Sequence, residues 1–182
     1  MIALSPDPFI TEMKLTFATA ATADAPALAA LHAGASEDLD QRFGHGFWSS
    51  PPSERAILAN MRLPKFSRTV IARTNRRIIG TLRLATKKPW AIDTAYFTAA
   101  AKPLYLTGMA VHPTHQRKGI GRLLMKQAES IARAWPADAI RLDAFDAAAG
   151  AGPFYAKCGF REVAHVVYKE DPLIYFEKIL SP

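Results

Sequence analysis

The chain of 182 residues holds a single cysteine, Cys158, so no intrachain disulfide can form and a disulfide-stapled scaffold is excluded. Long apolar runs are also missing. The least polar stretch, Phe17 to Ala35, is Ala-rich and interrupted by Asp24, Pro26 and His32, which makes it no credible membrane span. Residues Met1 to Lys14 lack a basic leading segment and are broken by Pro6 and Pro8, which argues against a secretory signal. The expectation is a soluble cytoplasmic protein without a membrane partner.

Acids are the next scarcity. Between Arg55 and Ile92 stand ten Lys or Arg and no Asp or Glu, and a second acid-free stretch, Pro113 to Ala128, carries Arg117, Lys118, Arg122 and Lys126. The formal net charge is +7, which bears on partners more than on fold. The first stretch reads as a solvated hairpin and its flanks. A single-strand nucleic-acid platform needs aromatics among its cations, and only Phe66 and Trp90 are available there. No nucleic-acid partner is expected.

What is present is globular. An apolar fraction of 49% against 21% charged is inconsistent with a disordered chain. At this length about 70% of the unfolded surface is buried on folding, enough for one domain. Residues 1–13 read as a flexible tail and 14–182 as that domain. Lys14 to Ala18 suits a first strand. Thr22, Asp24 and Pro26 open a helix carrying Leu28, Leu31, His32 and Ala35 at helical spacing. Gln41 to Pro52 reads as a loop and Ser53 to Leu63 as a second helix. Arg68 to Thr74 and Arg77 to Ala85 flank an Asn75-Arg76 turn, as in a hairpin. After an irregular connection, Leu104 to Val111 is a strand with Gly108 inside it, a common mark of a bulge. Gly119 to Ala134 is the clearest helix. Strand Ala139 to Phe145, short helix Gly150 to Cys158 and strands Phe160 to Tyr168 and Leu173 to Ile179 complete the chain. The order predicts an α/β fold of the α+β type. Its mixed, mostly antiparallel sheet has about six or seven strands, a central parallel pair and helices on both faces.

The chemistry concentrates where the third strand run meets the long helix. Gln116-Arg117-Lys118-Gly119-Ile120-Gly121 places two glycines at a helix start, where main-chain N–H groups lack partners and the helix dipole favours an anion. Arg117, Lys118 and Arg122 add positive charge. No Gly-Lys-Ser/Thr follows, so this is no Walker A loop, and the glycine spacing does not match a Rossmann fingerprint.

This loop resembles the Gln/Arg-x-x-Gly-x-Gly/Ala loop of the GCN5-related N-acetyltransferases, the GNAT superfamily. Met109-Ala110-Val111-His112-Pro113 before it and Leu123-Leu124 after it are similar to the same family. So is Phe154-Tyr155-Ala156-Lys157-Cys158-Gly159-Phe160, which matches the family's Tyr-x-Lys-x-Gly-Phe segment at the family's distance. The resemblance is good over 104–180 and compatible in element order over 14–103.

The resemblance implies an acetyl-CoA-dependent N-acetyltransferase acting directly on a primary amine of a small molecule or peptide. Its alternative is a catalytically silent acyl-CoA-binding sensor. It implies coenzyme A pyrophosphate on the main chain of Gln116, Arg117, Lys118, Gly119, Ile120, Gly121 and Arg122. The pantetheine arm would run along Met109, Ala110 and Val111, and Tyr155 would serve the departing thiolate. It also implies an acceptor pocket lined by the loop after the first helix, with Phe43, His45, Phe47 and Trp48, and by the segment joining the last strands, with Tyr168 and Pro172. Dimers are common in such a family, so a homodimer is possible. One departure stands out: Ala148 occupies a position where many members carry an Asn that contacts pantetheine.

An alkyl amine with a pKa near ~10 is only about 0.1% neutral at pH 7, so a group must take its proton. The strand Leu104 to Val111 offers no carboxylate. Asp143 is one candidate and His112 another, with Tyr105, Asp93 and Glu37 behind them. No metal site is read.

Overall fold

The computed structural model describes residues 14–180, so the expected tail over 1–13 lies outside the described residues. The sheet has seven strands: β1 (Leu15–Thr19), β2 (Ser67–Thr74), β3 (Arg77–Ala85), β4 (Pro103–Val111), β5 (Ala139–Phe145), β6 (Arg161–Tyr168) and β7 (Asp171–Ile179). Its order is β1-β2-β3-β4-β5-β7-β6. Every neighbouring pair is antiparallel except β4 and β5, which run parallel. That pair is joined through the long helix, as a parallel crossover requires.

The helices are α1 (Ala25–Phe43), α2 (Glu54–Met61), α3 (Ile120–Ala134) and α4 (Gly152–Lys157). α1 runs further than the sequence reading, which placed Gln41 to Phe43 in a loop. Arg42 pairs with Asp38 one turn back at 3.0 Å, and Gly44 at φ 80 ends the helix where its N–H meets the Asp40 carbonyl. α2 starts where its hydroxyl cap predicts, with Ser53 Oγ accepting from the Ala56 N–H. The β2–β3 hairpin turns through Asn75 and Arg76, both at positive φ, as a tight two-residue hairpin demands.

The strands sort their side chains to two faces. On one, Leu82, Leu104, Leu106, Ile140, Leu142 and Phe176 pack against α3 through Ile120, Leu124, Met125 and Ala128. Each of the larger side chains contributes about 1.5–3 kcal/mol by leaving water. Gly80 lies under this helix because a Cβ there would stand 2.9 Å from Leu124 Cδ1. On the other face α1 and α2 cover β2 and β3 through Leu28, Leu31, Ile57, Ile71 and Ile78.

Beside α1 and α2, the same face is covered by the connection 86–102, through Ile92 and Phe97 against Tyr105 and Tyr175. This irregular segment is latched. The Thr98 N–H and hydroxyl donate to the Glu177 carboxylate, the hydroxyl at 2.5 Å, and Arg141 donates to the Thr98 carbonyl. Glu177 is 1% exposed and also receives Arg161 at 2.6 Å. Burial alone would push its carboxyl up, but the Thr98 and Arg161 donors outweigh that and hold it below its ordinary value. Among the described residues no helix is long and apolar enough to cross a membrane.

Candidate active site

β4 and β5 are hydrogen-bonded only from Pro103 to Tyr105 and from Ala139 to Arg141. Beyond that point the two strands separate, and the β5-facing edge of β4 carries no ladder. The parting coincides with a bulge: the β3–β4 register jumps between Thr81/Ala110 and Arg83/Thr107, and Gly108 sits at φ 58. A residue with a Cβ is strained there, which is why the sequence has glycine. Opposite β3, β4 is secured at its far end, where the His112 N–H donates to the Ile79 carbonyl at 2.8 Å.

Just past β4 the chain makes the glycine turn. Arg117 has φ 57 and Gly119 φ 79, and Gly119 is the residue before the first turn of α3. Gln116 Nε2 donates to the Val111 carbonyl at 3.1 Å, fastening the turn to β4. Among the described residues no hydrogen bond engages the main-chain N–H of Lys118, Gly119, Ile120, Gly121 or Arg122. Such a nest of free donors at a helix start, flanked by three cations, is built for a polyanion. Gly121 has a packing role besides. A Cβ there would meet the Phe154 ring at 3.1 Å and Met109 Cε at 3.4 Å, so its absence lets α4 close against the turn. Met109, Ala110 and Val111 are half-buried along the open edge, as a strand edge waiting for a partner should be.

Tyr155 on α4 is buried in the α3-side core, and its hydroxyl donates to Met109 Sδ at 3.8 Å. Burial, then the nearby charge of Asp143, drives the phenol's pKa well above its ordinary value, so it is protonated at any physiological pH. Asp143 follows Leu142, which points into the α3-side core, so its carboxyl projects to the opposite face. It stands across from Tyr175 on β7. Burial raises its pKa too, against the pull of a main-chain hydrogen bond. Tyr155 and Asp143 therefore approach the gap between β4 and β5 from opposite sides of the sheet.

The α1–α2 loop forms one wall on the Asp143 side. Trp48 packs edge-on against Phe145 at the end of β5 with centroids 5.5 Å apart, and Phe47 stacks on the same ring at 6.5 Å. Phe43 meets Trp48 at 6.4 Å. The loop is tied down: Ser36 Oγ donates to the Trp48 carbonyl at 2.7 Å, and Ser49 Oγ links Asp40 to the Gly46 N–H. Gly46 makes room for the indole, since a Cβ there would lie 2.7 Å from the ring. His45 is exposed in this loop, without a packing partner among the described contacts. Tyr168 is not brought beside Trp48. It lines a separate groove at the β6–β7 hairpin with Trp90, Ile92, Asp93 and Tyr96.

Other expectations sort clearly. His112 shares a hydrogen bond with Thr114 Oγ1 at 3.0 Å and accepts from its N–H, so it caps the turn before the glycine loop. Asp146, beside Ala148, is held by His165 at 2.5 Å and so is engaged at the surface. Gly150 closes that turn, where any Cβ would collide with the Phe145 carbonyl. Cys158 is half-buried against the α3-side core, and burial pushes its thiol up, away from nucleophilic character. The sequence reading missed His32 and Arg83. His32 lies over the bulge, with ring atoms Cε1 and Nε2 at 3.8 and 4.0 Å from where a Gly108 Cβ would be. Burial lowers its pKa, so the imidazole is neutral at physiological pH. Its place in the apolar stripe of α1 disguised it as a core position.

A mixed sheet opened between its central parallel strands, with a turn of unpaired amides at the mouth of the opening, is the acyl-CoA acyltransferase architecture. A family model described as the acetyltransferase (GNAT) family matches residues 34–160, and the chain belongs to that family. No curated protein matches the chain. Among solved structures, it is similar to a yncA putative acetyltransferase from Salmonella typhimurium with its cofactor acetyl-CoA: 19% identity, TM-score 0.69, covering 92% of this chain and 94% of that one. It is likewise similar to a paia N-acetyltransferase from Thermoplasma acidophilum in complex with coenzyme A: 16% identity, TM-score 0.70, 92% and 99% covered. A third is the ribosomal-protein-S18-alanine N-acetyltransferase from Escherichia coli, at 19% identity and TM-score 0.66, with 92% and 95% covered. At these identities the likeness establishes the fold.

Proposed function

We propose that the protein transfers an acetyl group from acetyl-CoA directly to a primary amine of a small molecule or peptide. The observation that carries this reading is the convergence of three features on one gap: free amides at 118–122, the unladdered edge of β4, and the opposed pair Tyr155 and Asp143. Acetyl-CoA supplies an activated thioester and a diphosphate. The diphosphate fits the main chain of Gln116 to Arg122, with Arg117, Lys118 and Arg122 around it. The pantetheine amides fit the edge at Met109, Ala110 and Val111 as an added strand would. A main-chain N–H near Val111, aimed at the acyl oxygen, is worth about 3 kcal/mol to acyl transfer.

Asp143 takes the proton that the acceptor amine must lose. Its raised pKa brings it closer to the operating pH and makes it a better base than an ordinary aspartate. Tyr155 serves the sulfur. A phenol whose pKa is raised stays protonated and hydrogen-bonds a departing thiolate, as it already bonds the Met109 thioether. Phe43, His45 and Trp48, with Phe47 and Phe145, bound the acceptor side, and Tyr168 lies further along the same end of the sheet. The aromatic wall suits an acceptor with an apolar or planar portion.

The test is thiol release from acetyl-CoA across a panel of primary amines, run beside CoA binding. Amine-dependent release supports transfer. Tight CoA binding with no release for any amine points to a sensor instead, and no CoA binding overturns the reading.

A further inference from the structure

Among the described residues, Arg83 is a cation that burial and pairing do not account for. The other buried or half-buried arginines are matched: Arg141 lies 3.5 Å from Glu177, Arg73 pairs with Asp24, and Arg68 lies over the Trp135 ring at 4.3 Å. Arg83 is half-buried on β3, and burial alone presses its pKa down with no carboxylate restoring it. Every hydrogen bond it makes ends on a neutral oxygen: Nε to Thr107 Oγ1 at 3.0 Å, Nη1 to Asn60 Oδ1 at 3.1 Å and to Ser67 Oγ at 3.4 Å. Among the described residues Nη2 has no partner, and no Asp or Glu forms an ion pair with this guanidinium. Its surroundings in sequence are equally bare of acid, from Arg55 to Ile92.

The position gives that unmatched charge a meaning. Arg83 pairs in register with Thr107, the residue before the Gly108 bulge. Its bonds to Asn60 on α2 and to Ser67 place the guanidinium on the face that α1 and α2 cover, where His32 overlies the bulge and Asp143 projects. The Thr107 and Asn60 bonds fix the plane of the fork while leaving one nitrogen free. On the same face Trp48 adds a second unmet donor, its buried indole N–H. A half-buried guanidinium without a counter-charge favours an anion beside it, and its planar donors match a carboxylate.

Building on the proposed transfer to an amine, we infer that the acceptor carries a carboxylate and that Arg83 binds it, making the substrates amino acids or similar carboxylated amines. Arg83 is thus a specificity-determining residue, touching substrate but not the reacting atoms. The amine end lies toward Asp143 and the bulge, and the carboxylate toward β3.

The experiment compares phenylalanine with phenylalaninamide and phenethylamine, and leucine with leucinamide, in wild-type protein, R83Q and R83K. Thiol release gives kcat and KM. Calorimetric titration of N-acetylphenylalanine into CoA-loaded protein gives a readout without turnover, and thermal melts confirm that each variant is folded. The carboxylated amines are expected to exceed their amides at least tenfold in kcat/KM. R83Q is expected to erase that preference chiefly through KM and to weaken N-acetylphenylalanine at least tenfold at unchanged CoA affinity, with R83K recovering part of both. Three outcomes overturn the inference while leaving acetyl transfer standing: amides or phenethylamine used as well as the acids, a preference that survives in R83Q, or no binding of N-acetylphenylalanine at millimolar concentration to protein that binds CoA. Loss of CoA binding in the wild type overturns both proposals together.

Discussion

The hydroxyl of Tyr155 donates to the sulfur of Met109 at 3.8 Å, joining α4 to the open edge of β4. A thioether is a fair mimic of the sulfur this hydroxyl is proposed to serve. Tyr155→Phe keeps the ring contacts with Phe154, Phe160 and Phe176 and removes only the donor. The expected result is a fall in kcat of roughly 100-fold, the lower end for a lost proton donor. CoA affinity should stay within about twofold on that account. Steady-state kinetics with calorimetry checks this, and a fully active variant reduces Tyr155 to a packing residue.

Asp143 ties activity to pH. As a base it must be ionised, so kcat should fall as pH drops through its raised pKa, at a higher pH than the usual ~3.9 of an aspartate. Asp143→Asn should abolish that limb and lower kcat at pH 7 by roughly 100-fold. The stability sign is opposite. With the folded pKa above the unfolded one, the group's stabilising contribution is present in acid and lost as pH rises through the folded value. The Asn variant should therefore melt no lower than wild type at neutral pH. A pH–rate profile together with thermal melts tests both halves.

His32 offers a second nitrogen near the bulge, and a variant separates it from Asp143. His32→Gln keeps a polar side chain over Gly108. With Asp143 as the base, kcat should fall by less than about tenfold, far less than in Asp143→Asn. A larger loss in the histidine variant transfers the proton-accepting role to the imidazole.

Glu177 fastens the connection 86–102 over Tyr105 and Tyr175 on the face of the sheet that α1 and α2 also cover. Truncating one member of a buried pair leaves the other unmet, so Glu177→Gln should cost about 3–5 kcal/mol. Because the native carboxyl's pKa is held below its unfolded value, this stabilisation is present above the unfolded pKa and lost as pH falls through the folded one. Denaturant melts at pH 7 and pH 3 should show a smaller gap between wild type and variant at the second than at the first. Equal gaps at both contradict the latch.

Much of the sheet was legible because local chemistry and tertiary structure agree. The Asn75-Arg76 turn, the Ser53 cap and the stripe of α3 each specify their own geometry. The glycine turn was legible for the same reason, since free amides at a helix start are a property of the local chain. The acceptor side was not. Phe145 meets Phe47 and Trp48 across about a hundred residues, and nothing in either segment announces the other. Tyr168 shares an aromatic character with Trp48 but lies in another groove, because strand β6 is at the sheet edge while Trp48 leans on β5. Arg83 was hidden inside a basic run. Only the register at the bulge shows that it turns inward to Thr107 while most of the other cations in that run meet solvent.

The free amides around Gly119 bear the central claim, and titrating CoA into wild-type protein and Gly119→Glu by calorimetry tests it most directly. The substitution puts a side chain and a negative charge at φ 79, where the turn tolerates neither. Wild type should bind CoA with a single stoichiometric site and the folded variant should show no heat. Silence from the wild type, or equal affinity in both, contradicts the assigned site.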